Sequence, residues 1–166
     1  MTAMQKITPC LWFDSNAEEA VNFYSAIFKN SKIGNISRYG KAGHEIHGKP
    51  AGTVMTIEFE LDGQAFTALN GGPVFKFTEA ISFQVSCESQ EEVDYYWGKL
   101  SEGGDKKAQQ CGWLKDKYGV SWQIVPTVLG KMLQDKDAEK SERVMKELLQ
   151  MNKIEIKSLK QAYDQG

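Results

Sequence analysis

The chain has 166 residues, 41% of them hydrophobic and 25% charged, with a formal net charge of −2. That length suits one compact domain or two half-domains sharing a core, and near-neutral charge without a basic stripe argues against nucleic acid as a partner. No apolar run approaches the roughly 20 residues of a membrane-spanning helix, and Met1 to Lys6 lack the apolar stretch of a signal peptide, so a cytoplasmic protein without a membrane partner is expected.

In chain order, Ile7 to Phe13 reads as a strand, followed by a helix capped at Asn16, with Glu19 placed to complete a capping box. Ala20, Phe23, Tyr24 and Ile27 recur at helical spacing, and the helix should stop near Lys29-Asn30. Ile33 to Tyr39 is a strand, and Gly40 to Gly52 a mobile loop. Thr53 to Leu61 alternates, with Met55, Ile57, Phe59 and Leu61 opposite Thr56, Glu58 and Glu60. Asp62-Gly63 signals a hairpin returning as Gln64 to Asn70.

The text then repeats. Ile81 to Ser86 reads as a strand, and Ser89 with Glu92 caps a helix carrying Val93, Tyr96, Trp97 and Leu100 to a stop at Gly103-Gly104. A weak strand near Lys106 to Ala108 precedes a hairpin, Gln110 to Lys115 and Val120 to Val125, around Asp116 to Gly119. The offset is 73 residues from Asn16 to Ser89 and 74 from Ile7 to Ile81. The reading is an α+β fold of two βαβββ modules, 5–73 and 79–126, and a helical extension, 127–166. In that extension Asp137 to Met151 is a helix with Val144, Leu148, Leu149 and Met151 on its apolar side, and Ile156 to about Tyr163 a second one. It should pack on the domain or on a partner chain.

Strand parity separates two faces. Ile7, Pro9, Leu11 and Phe13 lie opposite Thr8, Cys10 and Trp12; Ile81, Phe83 and Val85 opposite Ser82, Gln84 and Ser86; Trp122 and Ile124 opposite Ser121, Gln123 and Val125. The greasy faces should receive the helices. The other faces, with Trp113 and Glu58, carry small polar groups, Cys and Trp in place of Lys and Glu, which suits a partly enclosed ligand surface. An interface between sheets or subunits is the alternative. Trp12, Phe66 and Trp113 either stack on a ligand or plug the space. Cys10, Cys87 and Cys111 read as free thiols, with Cys10 and Cys111 pointing to the polar face, and no adjacent cation marks either as a nucleophile. His44 and His47 read as a solvated pair, with adventitious metal binding the alternative. Glu58 is either a hydrogen-bond acceptor or a general base.

The run Cys111 to Pro126, CGWLKDKYGVSWQIVP, together with Ala68 to Pro73 and Ile7 to Phe28, resembles the PhnB-like family of the vicinal-oxygen-chelate superfamily, which includes glyoxalase I, extradiol dioxygenases and bleomycin-resistance proteins. The resemblance implies paired βαβββ modules with mixed sheets curled into cups. It also implies metal-ligand positions at Thr8, Ala68 or Asn70, Ser82 and Gln123. Neutral Thr, Ser, Asn and Gln are poor ligands for the metals used by the catalytic relatives, so no metal or other cofactor is expected. Many family members carry the label 3-demethylubiquinone-9 3-methyltransferase. A Rossmann-type methyltransferase would show a glycine-rich turn after its first strand, where this chain has Asp14-Ser15-Asn16.

The leading expectation is a metal-independent small-molecule-binding protein, a homodimer whose cups are lined by Thr8, Cys10, Trp12, Glu58, Asn70, Ser82, Gln84, Trp113 and Gln123. The alternatives are an enzyme of the superfamily, whether isomerase, lyase, dioxygenase-like or the catalogued methyltransferase, and a structural or interaction module.

Overall fold

A computed structural model describes residues 4–165. The chain divides into two compact units, one up to Phe77 and one from Thr78. No helix among the described residues is long and apolar enough to cross a membrane.

The first unit runs β1 (Cys10–Phe13), α1 (Ala17–Ile27), β2 (Lys32–Arg38), α2 (His44–His47), β3 (Val54–Leu61) and β4 (Gln64–Asn70). Its sheet has the order β1-β4-β3-β2. β1 pairs parallel with β4, and β4 pairs antiparallel with β3. Asp62 and Gly63 both adopt positive φ, 49° and 78°, which a two-residue hairpin of this twist requires. α1 packs on β3 and β4, burying Ala17, Ala20, Val21, Tyr24 and Ile27 against Leu11, Phe13, Ile57, Phe59, Leu61, Phe66 and Ala68. Ile7, 87% exposed, lies outside both strand and core. Phe66 stacks on Phe59, and both rings are buried.

Asn70 corrects two expectations. It is 1% exposed and stands on the helix side of the sheet, so it lines no cup. Its Oδ1 accepts from the Ala17 amide at 2.9 Å, and its Nδ2 donates to Val54 O at 3.1 Å and Glu18 Oε1 at 2.7 Å. Asn16 holds the N-cap position but makes no side-chain cap bond; the cap comes from across the sheet. Tyr39 Oη also donates to Asn70 O, at 2.7 Å. The segment before β3, expected to be a plain loop, contains α2, whose His47 ring lies 4.5 Å from the Tyr39 ring.

The second unit runs β5 (Ser82–Cys87), α3 (Gln90–Ser101), a 3-10 turn (Lys106–Ala108), β6 (Trp113–Lys115), β7 (Ser121–Pro126), α4 (Thr127–Leu133), α5 (Ala138–Leu148) and α6 (Ile156–Asp164). The sheet order is β5-β7-β6, with β5 parallel and β6 antiparallel to β7. Here the Ser89 hydroxyl accepts from the Glu92 amide at 3.2 Å, and the Glu92 carboxylate reaches the Glu88 amide at 3.3 Å. Asp116 ties the hairpin: buried, it accepts from the amides of Tyr118 and Val120 and from Trp122 Nε1 at 2.8–3.0 Å.

This copy differs from the expected βαβββ pattern. A 3-10 turn replaces its first strand after the helix. β6 is short because Cys111 and Gly112 turn sharply with φ of 51° and 85°. That turn breaks the alternation, and Cys111 packs with the helical extension instead of joining the polar face. The amides of Cys111 and Gly112 donate to Met151 O and Asn152 O, both at 2.8 Å, and Ile154 approaches Gly112 so closely that a Cβ there would collide with it.

The extension thus packs on its own unit. Leu129, Met132, Val144, Leu148, Met151, Ile154 and Leu159 form its core. The extension begins with a helix, α4, that the sequence pattern does not mark, and Leu149 is exposed instead of lying on the apolar side of α5. Asp137 caps α5 through the Glu139 amide, at 3.0 Å. Gln90, at the start of α3, donates to Ile154 O at 3.1 Å and accepts from the Ile156 amide at 2.8 Å. Lys153 bridges Asp94 at 2.7 Å.

Two outcomes follow. Asn70→Ala leaves a buried amide and a buried carbonyl unpaired and should cost about 2–3 kcal/mol, read as a lower urea midpoint at unchanged slope. The Lys153 hydrogen bond holds the Asp94 carboxyl below its ordinary range, and Tyr163 does the same for Asp135. A lowered carboxyl pKa gives stability that is complete above about pH 3.9 and lost as pH falls through the lowered folded-state value. Pepsin digestion within the extension should therefore stay slow near pH 4 and accelerate only at more acidic pH. The same pairing raises the pKa of Lys153, so its contribution, present at neutral pH, is also lost as pH rises above the ordinary lysine range.

Candidate functional site

In each unit the helices cover one face of the sheet and the register defines the other. In the first unit, Cys10, Thr67 and Glu58 form one row on this helix-free face, and Trp12, Leu69, Thr56 and Ser37 another. Ala65, Glu60 and Lys32 form a third, at the end next to Thr8. β2 slips register between Ile33 and Ile36, and this bulge at Gly34-Asn35 turns Asn35 toward Glu58: Asn35 Nδ2 donates to Glu58 Oε2 at 3.1 Å. Bulges commonly re-aim side chains beside binding sites.

A cavity of about 450 Å³ opens here, lined by Thr8, Lys32, Gly34, Asn35, Glu58, Phe59, Glu60, Ala65, Phe66 and Thr67. Of the expected lining residues it brings together Thr8 and Glu58. It also includes Phe66, one of the three aromatics expected around the cup; Asn35 and Gly34 join it through the bulge, which a glycine inside a strand signals. Lys32 and Glu60 approach to 3.8 Å with both side chains largely exposed, a pair worth little in itself. The cavity wall is rich in acceptors: two carboxylates and an amide oxygen.

Cys10 and Trp12 share this face outside the cavity. Trp12 is held in place instead of being offered for stacking. Its Nε1 donates to Gly72 O at 2.9 Å, Phe75 meets its ring edge-on at 4.9 Å, and Gly71 lies so close that any Cβ there would fall within the indole.

The second unit has its own helix-free face. Ser82, Ser121 and Lys115 form one row, and Gln84, Gln123 and Trp113 the next. Gln123 Nε2 donates to Ser82 Oγ at 2.8 Å, and Lys115 pairs with Glu79. Ser82, Gln84, Trp113 and Gln123 therefore do share one surface.

The donor set does not fit the metal implied by the resemblance. Ala68 and Asn70 face the helix side, Asn70 is fully engaged, and Ser82 and Gln123 bond to each other. Among the described residues no group of three or more His, Cys, Asp or Glu is placed to hold a metal ion. His47 accepts from the Lys49 amide at Nδ1, 2.9 Å, while its Nε2 lies 3.2 Å from Ala42 O, so both nitrogens serve the loop. Desolvation raises the pKa of the Cys10 thiol, and burial, then Glu92, pushes that of Cys87 up to about 11. Both are protonated at neutral pH.

A family model described as 3-demethylubiquinone-9 3-methyltransferase matches residues 5–125. The PhnB protein of Bacillus cereus, which bears the same methyltransferase description, is 41% identical, with a TM-score of 0.64 over 74% of this chain and 100% of that one. Protein PA1353 of Pseudomonas aeruginosa is 20% identical, with a TM-score of 0.57 over 74% of this chain and 98% of its own. The fosfomycin resistance protein FosX of Listeria monocytogenes, solved with Mn(II) and sulfate, is 16% identical, with a TM-score of 0.52 over 81% and 97%. No protein with a curated function matches the chain. The chain belongs to this PhnB-like, 3-demethylubiquinone-9 3-methyltransferase-type family and has a glyoxalase/bleomycin-resistance-like fold.

Proposed function

We propose that the protein binds a small molecule on the helix-free side of its sheets, independently of a metal. The observation carrying this reading is the 450 Å³ cavity of the first unit, whose wall alternates hydroxyl, carboxylate and amide groups around Thr8, Glu58 and Thr67. A cavity of that volume suits a small ligand, and a few placed polar groups set its orientation. The neutral donors at the superfamily's metal positions support binding through hydrogen bonds alone. The methyl-transfer description draws no support from the fold. Rossmann sheets are mostly parallel with helices on both faces, whereas three of the five pairings here are antiparallel.

Free thiols at Cys10, Cys87 and Cys111 support action in a reducing compartment, the cytoplasm. Exposed Ile7, Val74 and Phe75 in the first unit support self-association as a homodimer.

A thermal-shift screen of a metabolite library tests the binding reading. A ligand at about 100 times its Kd stabilises the fold by about 2.7 kcal/mol, and Thr8→Val and Glu58→Gln should each remove that shift while leaving the unliganded midpoint within about 0.5 kcal/mol. The reading fails if every stabilising compound shifts both variants as much as it shifts the wild type. Sedimentation of the untagged protein should give twice the monomer mass; a monomer at all concentrations refutes the homodimer.

A further inference from the structure

The two helix-free faces are register equivalents whose hydrogen-bonding groups differ at three positions. Thr8, Ala65 and Glu60 in the first unit correspond to Ser82, Ser121 and Lys115 in the second, and Glu58 corresponds to Trp113. Two acceptors of the first copy, Glu60 and Glu58, stand where the second has the donors Lys115 and Trp113, and Ser121 adds a hydroxyl where the first has Ala65. Ser121 is the sharpest case. It is 2% exposed, and its hydroxyl has no partner. A buried orphan hydroxyl costs about 1–3 kcal/mol. The fold does not require it, because the equivalent position in the first copy is Ala65.

Its neighbours are donors with capacity to spare. Ser82 accepts from Gln123 and keeps its own hydrogen to give. Trp12 and Trp122 both place their indole N–H on an oxygen, Gly72 O and the Asp116 carboxylate. Trp113 Nε1 has no such partner among the described residues. Lys115 adds a positive charge, shared with Glu79.

We propose that this face of the second unit is an oxyanion subsite, in which Ser82, Ser121, Trp113 and Lys115 donate to a carboxylate or phosphate-type group of a small-molecule ligand. Charge-assisted bonds of this kind are the strong ones, and the anion satisfies the shielded Ser121 hydroxyl. Glu79 is the internal competitor. Lys115 holds its carboxyl below the ordinary range, so it is ionised at neutral pH and gives way to the incoming oxyanion.

The proposal builds on the small-molecule reading but uses a different unit, so the two fail separately. Inorganic phosphate and acetate are titrated against the full chain by thermal shift, with sodium chloride at matched ionic strength as baseline. At least one of the two should stabilise saturably beyond chloride, and which one does so assigns the group as phosphate-type or carboxylate. Ser121→Ala, which installs the first copy's residue, should leave the unliganded midpoint equal or higher and weaken binding about tenfold or more. Trp113→Phe should weaken it less. Glu79→Gln should tighten binding about twofold to fivefold, whereas Glu91→Gln, an exposed charge on α3, should not. Thr8→Val should leave these titrations unchanged. Stabilisation no greater than that of chloride, equal response of wild type and Ser121→Ala, or equal effects of Glu79→Gln and Glu91→Gln would overturn the proposal.

Discussion

The first unit depends on one carboxamide. Asn70 closes three elements at once: the first amide of α1, the first carbonyl of β3, and its own position at the end of β4. A helix begins with amides that its own backbone cannot satisfy, and a buried helix start has no water to fall back on. Placing the acceptor on a strand rather than on Asn16 makes helix and sheet mutually necessary. It also sets where α1 lies on the sheet, and so which face remains uncovered for a ligand.

The register equivalent of Asn70 in the second unit is Pro126, paired with Cys87 as Asn70 is paired with Phe13. Proline has no side chain that could cap, and there Ser89 caps its own helix. The same asymmetry runs through the edges. The first sheet keeps its fourth strand, bulged and exposed. The second replaces it with a 3-10 turn and fastens the Cys111-Gly112 turn to carbonyls of the extension. One architecture is thus stabilised by two different sets of polar contacts, and the helix-free faces diverged with them.

Much of this was legible from local chemistry. Asp62-Gly63 demanded a hairpin, Ser89 with Glu92 announced a helix, and two-residue alternation placed Thr8, Cys10, Trp12 and Glu58 on one face and Ser82, Gln84 and Gln123 on another. What failed was whatever depends on partners distant in sequence or on broken parity. Asn70 reads like any strand-terminal Asn until Ala17 is known to lie against it. Cys111 leaves its predicted face because two successive residues adopt positive φ, a choice enforced by Met151 and Asn152 some forty residues on. Asn35 entered the cavity wall through a bulge, and a bulge shifts every later side chain by one position. Trp12 showed its aromatic character but not that Gly71 packs flush against it.

The fastening of the Cys111-Gly112 turn has a consequence for how the chain comes to fold during synthesis. The first unit has all its partners once residue 77 has emerged, the longest of its strand pairings running from Cys10 to Thr67. The second cannot satisfy the turn that begins β6 until Met151 and Asn152 are available, nor seat Gln90 until Ile154 and Ile156 arrive. Closing loops of that length is slow relative to local hairpins. The segment from Met151 to Ile156 therefore fastens the turn that opens β6, and until it has been made the chain carries a folded first half beside an unfinished second one.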